Sequence, residues 1–311
     1  MTAIARNHTI GAVCAILSAL GFAGKAVFIR VIYSKTSIDA VTLLALRMLF
    51  SLPFFAWFAW RSGRALHLPT LSRLDRLWLL WLGFLGYYFS SFLDFWGLEY
   101  ITAALERIIL FTYPTWVLLL SAAFLGRAIQ GRDVLALLLS TAGIVVTFLN
   151  DLRGTISSAH LWKGASLVLS ASVLYSVYLI HSSGVVARVG SIRFTAWVVM
   201  VGTVFVVVQF LLTRPVRLLC QPPEIYWLSL ALAALSTAAP IYFLVEALRR
   251  VSPSTVAIAS SVGPIITIFL GVLFLDERAT LMQLSGALLV LAGVGLITHP
   301  PTSAQEVEGA V

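Results

Sequence analysis

Apolar runs of about 20 residues follow one another along the chain, separated by short loops that carry most of the charge. A helix crossing a hydrocarbon core about 30 Å thick needs about 20 mostly apolar residues. Ten runs meet that length, near 9–31, 38–60, 77–98, 104–125, 133–150, 162–183, 193–213, 226–247, 253–275 and 281–298. They are continuously apolar rather than alternating, as from Val134 to Phe148. That predicts helices and not the strands of a membrane barrel. The expected fold is all-α and integral to the membrane, with almost nothing left over for a soluble domain.

The pattern also repeats. Laying 98–147 on 248–297 without a gap matches Ile108 with Ile258, Pro114 with Pro264, Phe124-Leu125 with Phe274-Leu275, and Gly143 with Gly293. Leucine and alanine matches are common between membrane helices; paired prolines and glycines at one constant offset are not. Residues 1–150 and 151–298 therefore read as two five-helix repeats, and 299–311 as a polar, acidic, disordered cytoplasmic tail. Five is odd, so the second repeat must enter the membrane in the opposite direction. Inverted repeats are a common construction of secondary transporters, with the substrate site near the midplane at the repeat interface.

Tyr113-Pro114 followed by an apolar run to Phe124-Leu125-Gly126, and Gly263-Pro264 running to Phe274-Leu275-Asp276-Glu277, resemble the paired motif of EamA-type permeases of the drug/metabolite transporter superfamily. Arg47, in Leu46-Arg47-Met48-Leu49, is similar to that family's second-helix arginine, and Glu277 to the acid that closes its motif. Arg127 stands at the matching place in the first half, so the acid is not a feature of both halves. The resemblance covers about residues 10–298 and implies a ten-helix carrier of small metabolites built from inverted five-helix repeats.

Composition agrees. Apolar residues make up 60% and charged residues 11%, against about 25% charged in a soluble domain. Mean hydropathy is +0.97. The net charge of +8 is spread over loops and does not point to nucleic acid. With the N-terminus inside, loops on its side hold eleven Lys and Arg against seven on the other, much of the excess lying between Arg61 and Arg76. The positive-inside rule then puts both termini of a multi-pass plasma (inner) membrane protein in the cytoplasm. Cys14 and Cys220 make no disulfide framework. The first run is too long for a signal h-region and is expected to be retained.

Function then rests on polar residues within the spans. A charge at the bilayer centre costs about 2.5–3.5 kcal/mol and normally faces a cavity or a partner. Lys25 either snorkels to the outer headgroups or lines a cavity. Arg47, about ten residues into its span, is too deep to snorkel; structural pairing is favoured over anchoring a substrate carboxylate. Asp94 lies near the outer end of the third span. Glu106 and Arg107 open the fourth, where Glu106 reads either as a cap against the helix dipole or as part of a gate or protonatable coupling site. Ser172, Tyr175 and Tyr178, with Ser182, form a polar stripe on one helical face. Ser236, Thr237 and Tyr242 roughen the eighth span, and Tyr87 and Tyr88 the third. Tyr113 joins the cavity candidates. Pro114 and Pro264, read as lying mid-span, are kinks and hinge candidates. Asp276-Glu277 is expected to cap the tenth helix or meet its positive end.

The five histidines are mutually isolated, and HExxH, CxxC, GxSxG and Walker A sequences are all missing from the chain. No metal site, cofactor or catalytic residue is expected. A secondary transporter working by alternating access is the leading reading, with a membrane-embedded transferase or a channel as alternatives. Without a nucleotide motif, energy comes from a proton gradient or from exchange. Three buried cations favour a carboxylate-bearing solute such as an amino acid, and the tyrosines an amphipathic body. Either a monomer or a homodimer fits.

Overall fold

The computed structural model describes residues 3–65, 71–126, 129–152, 158–251, 256, 259–260 and 262–298. The expected tail, 299–311, and much of the start of the ninth run lie outside them. Among the described residues there is no strand. In hydrocarbon every backbone polar group must be satisfied within its own segment, and helices do this along a continuous apolar run. The chain begins with α1 (Ala3–Lys35) and α2 (Ala40–Ala65). The third run is one continuous course of α3 (Arg73–Leu82), a π stretch (Gly83–Phe89) and α4 (Ser90–Gly97). The fourth is α5 (Ala103–Leu110) and α6 (Tyr113–Leu125), followed by α7 (Gly131–Leu152).

The second half begins with α8 (Ser158–Val189) and α9 (Ser191–Thr213). A further interrupted course comprises α10 (Pro223–Ala233), a π stretch (Ala234–Ala238) and α11 (Ala239–Leu248). Helices α12 (Gly263–Leu275) and α13 (Leu281–Thr298) end the described chain. Seven described helical stretches are long and apolar enough to cross a membrane, and α12 and α13 are shorter apolar helices.

The irregularities of one half recur in the other. Both interrupted courses carry a π stretch, starting at Gly83 and at Ala234. Helices α6 and α12 open with proline in the first turn and end on a left-handed residue, Gly126 (φ 69°) and Asp276 (φ 53°). Ser90 Oγ donates to Ala171 O at 3.0 Å between α4 and α8; Ser18 Oγ donates to Pro240 O at 2.9 Å between α1 and α11. Helices α7 and α13 cross where each presents a glycine. A Cβ on Gly286 would lie 2.7 Å from Gly143 O, so the backbones approach as only small residues allow.

Pro114 and Pro264 do not kink continuous helices, as the sequence suggested. Each lies in the first turn of a new helix, where its missing N–H belongs to the unsatisfied set anyway. The fourth run is broken at Phe111-Thr112, between α5 and α6.

Large side chains including Ile29, Leu43, Met48, Phe95 and Phe210 are fully buried between α1, α2, α4 and α9, while Leu212, Phe269 and Leu281 are among many exposed on the outer surface. An apolar exterior of this extent suits a lipid solvent rather than water.

Candidate functional site

Charge is concentrated where α1, α4 and α5 meet. Lys25 Nζ donates to Asp94 Oδ2 at 2.6 Å and lies 3.2 Å from Glu106 Oε1. The Lys25 side chain is 14% exposed and Glu106 is fully buried. Lys25 therefore turns inward instead of snorkelling. Glu106 occupies the first turn of α5 without capping it; that role falls to Thr102, whose hydroxyl accepts from Leu105 N at 3.1 Å. Asp94 Oδ1 and Glu106 Oε2 are buried with no hydrogen bond among the described residues, and Glu106 Oε1 has only its ion-pair contact with Lys25. Buried acceptors of this kind are rare, because each costs about 1–3 kcal/mol or more if charged.

Two arginines border this cluster. Arg107, next to Glu106 on α5, lies with its guanidinium 5.9 Å from the Phe111 ring centroid, and its buried Nε has no hydrogen-bond partner among the described residues. A Cβ added at Gly263 would meet Arg107 Nη2 at 2.9 Å. Glycine at the start of α12 thus makes room for the guanidinium, at the place where the first half carries Tyr113. Arg47, 7% exposed on α2, donates from Nε to Thr237 Oγ1 at 3.0 Å and lies 5.2 Å over the Phe95 ring. Thr237 belongs to the second π stretch, so this bond joins the two halves of the chain. Asp94 acts electrostatically on both arginines.

Tyrosines form a continuous wall. Tyr113 meets Tyr175 edge-on at 5.5 Å, Tyr175 stacks on Tyr178 at 5.6 Å, and Tyr178 meets Tyr87 edge-on at 5.9 Å. The serines of the same α8 face have a distinct task. Leu110 is four residues before Pro114, so its carbonyl has lost its helical partner. Ser172 Oγ donates to that carbonyl at 3.3 Å, and Ser176 Oγ donates to Tyr113 O at 2.9 Å. The polar stripe on α8 thus mends the broken helix beside it.

Of the remaining candidates, Ser236 is buried with its Oγ unpartnered among the described residues, and a Cβ at Gly24 would stand 3.6 Å from it. That puts it beside the turn of α1 that carries Lys25. Tyr88 instead stacks on Phe205 at 5.7 Å, and Tyr242 is half exposed, stacked on Phe58 at 6.3 Å. Neither has a described contact with the charged cluster. Tyr87 and Thr237, which roughen their spans in sequence, join the site, and so does Ser176, which the polar pattern did not set apart.

Glu277 departs from its expected place. Helix α13 is capped by Thr280, whose hydroxyl accepts from Gln283 N at 3.1 Å. Glu277 Oε1 instead accepts from Ala103 N at 3.5 Å, at the head of α5 in the other half. Burial pushes the Glu277 carboxyl above its ordinary value, and the Ala103 bond offsets part of that. Nearby, Thr102 Oγ1 donates to Asp151 Oδ2 at 2.6 Å and Thr280 Oγ1 to Asn150 Oδ1 at 2.8 Å, tying α5, α7 and the loop before α13 together.

An all-helical bundle with an apolar exterior and a charged, partly unsatisfied interior is built as a membrane carrier is built. The chain belongs to the EamA-like transporter family, whose model matches residues 9–149 and 162–299. It is 27% identical over 286 residues to the uncharacterized transporter YcbK of Bacillus subtilis (strain 168), covering 90% of each chain. It is 22% identical over 203 residues to the uncharacterized transporter YoaV of the same organism, covering 65% of this chain and 69% of the relative. A solved crystal structure aligns with 96% of this chain and 98% of its own, with a TM-score of 0.65 and 17% identity, a likeness of fold alone. The protein is a multi-pass membrane transporter.

Proposed function

We propose that the protein is a secondary transporter of small organic solutes bearing a carboxylate, such as amino acids, working by alternating access in the plasma membrane. Ten spans form two inverted five-helix repeats with both termini in the cytoplasm; the recurrence of the π stretches, the proline-headed helices and the Ser18 and Ser90 bonds supports this arrangement. The observation that carries the substrate class is the charge balance of the interior. Among the described residues Lys25 pairs with Asp94 and Glu106, and Arg47 and Arg107 lie close by with no ion pair of their own, so three cations stand against two carboxylates in a place where uncompensated charge is expensive. A substrate carboxylate supplies the missing negative charge. The tyrosine wall from Tyr113 to Tyr87 takes the body of the solute, and the helix breaks preceding Pro114 and Pro264 serve as hinges.

One ammonium shared between two carboxylates also suits proton coupling. Glu106, whose contact to a cation among the described residues is the Lys25 ammonium at 3.2 Å, takes up a proton when the substrate withdraws Lys25. The test is uptake of a labelled metabolite panel into proteoliposomes, with and without an imposed pH gradient. Saturable counterflow of a carboxylate-bearing solute, lost in Lys25→Met, is expected. Non-saturable flux would indicate a channel instead. Transport of cationic or neutral solutes alone would refute the charge argument.

A further inference from the structure

The turn of α5 that carries Glu106 and Arg107 is held from outside the charged cluster. Thr102, which caps α5, is the point of attachment. Its hydroxyl accepts from Leu105 N at 3.1 Å and donates to Asp151 Oδ2 at 2.6 Å. Its carbonyl accepts from Glu106 N at 3.1 Å. Glu106 Oε1 in turn lies 3.2 Å from Lys25 Nζ. A chain of contacts therefore runs from Asp151 through Thr102 and Glu106 to Lys25.

Asp151 is a costly residue for its place. It lies in the last turn of α7, where that helix's own dipole disfavours negative charge. It is 4% exposed, and its second oxygen accepts from the neutral amides of Asn150 at 3.1 Å and Gln283 at 3.4 Å. Its gain lies across the helix boundary. A carboxylate makes a shorter and stronger bond to a hydroxyl than a neutral acceptor does, and here it also faces the positive end of α5. The acid and the charged turn go together in sequence. At the constant offset between the halves, Glu106, Arg107 and Asp151 match Val256, Ala257 and Pro301. The half without the charged turn also lacks the carboxylate.

We infer that Asp151 is a positioning residue for the charged interior: through Thr102 it fixes the first turn of α5 and thereby the approach of Glu106 to Lys25. This deepens the proposed function and rests on it, since a transport site is what gives that geometry a use. The test involves no solute, so its failure would leave the solute class standing, and a different solute class would leave the geometry standing. Reversible unfolding of the full chain in mixed detergent micelles, applied to Lys25→Met, Glu106→Gln and the pair together, gives the coupling between the two side chains. The cycle is repeated in Asp151→Ala and in Thr102→Ser, which keeps both the cap and the hydroxyl. A coupling of about tenfold or more in the folding constant is expected in the wild type and in Thr102→Ser, falling to about threefold or less in Asp151→Ala. A second cycle, Arg47→Gln with Thr237→Ala, should keep its value in Asp151→Ala. Four outcomes would overturn the inference. The wild-type coupling could be below about threefold, leaving no geometry to hold. Asp151→Ala could lower stability yet keep the Lys25–Glu106 coupling, which would make Asp151 a structural tie alone. Both cycles could weaken alike in Asp151→Ala, which would be general loosening. Thr102→Ser could lose the coupling as fully as Asp151→Ala. If Asp151→Ala fails to fold, Asp151→Asn replaces it, keeping the shape and removing the charge: a reduced Lys25–Glu106 coupling then supports the inference and an unchanged one overturns it.

Discussion

Lys25 is the residue whose removal should cost most. Its ammonium is 2.6 Å from one Asp94 oxygen and 3.2 Å from a Glu106 oxygen. At an effective dielectric of about 20, each contact is worth about 5–6 kcal/mol in gross Coulomb energy, most of it offset by desolvation of the three groups. Lys25→Met leaves two carboxylates facing each other with no cation between them, one of them fully buried. Breaking a buried pair by deleting one partner costs about 3–5 kcal/mol. The triple change Lys25→Met, Asp94→Asn, Glu106→Gln removes the stranded charges and should recover most of that loss, because a neutral replacement of a buried ion cluster is often close to isoenergetic. Reversible unfolding of the purified protein in mixed detergent micelles, comparing the wild type, the single variant and the triple variant, reads both numbers. A single variant as stable as the wild type would refute the reasoning. A triple variant no better than the single would also refute it, by showing that Lys25 contributes through packing and not through charge.

Further outcomes follow from individual contacts. Asp276 is in the left-handed region at φ 53° where the first half has Gly126, so Asp276→Gly should stabilise the protein by about 1 kcal/mol in the same unfolding assay. Gly263→Ala should leave folding intact but displace the flexible Arg107 guanidinium that lies against it, weakening substrate affinity about 10- to 150-fold in binding measurements if Arg107 holds the carboxylate. Ser172→Ala removes the hydrogen bond to the Leu110 carbonyl that Pro114 orphans, and should cost about 1–3 kcal/mol. At the membrane surface, hydrogen bonds from Ser72 and Arg188 hold the Asp75 carboxyl below its ordinary 3.8. The clasp is therefore fully present above that value and is lost as pH falls through the depressed folded value, so wild type and Asp75→Asn should differ in thermal stability at about pH 5, with the difference shrinking as the pH is taken down past 3.8.

Much of this molecule could be read along the chain, because a bilayer imposes a one-dimensional rule. Helix length, continuous apolarity and loop charge are local properties, and they were enough for an all-helical membrane protein. The paired Pro114 and Pro264, with the motifs around them, were enough for the family. The cost of buried charge alone singled out Lys25, Arg47, Asp94, Glu106 and Arg107 as residues in need of a partner or a cavity before any contact was known. Partnerships were not legible. Lys25 and Asp94 are 69 residues apart, and Arg47 and Thr237 are 190 apart; only the packing of α1 on α4 and of α2 on the second π stretch brings them together. Glu277 capped the helix of the opposite half rather than its own neighbour, because the fold places α5's first turn over that loop and Thr280 had already filled the local role. Ser172 read in sequence as one member of a polar stripe on α8, with no partner named. Its partner, the Leu110 carbonyl left open by Pro114, lies on a different helix, and only the tertiary structure could show that Ser172 is there to satisfy it.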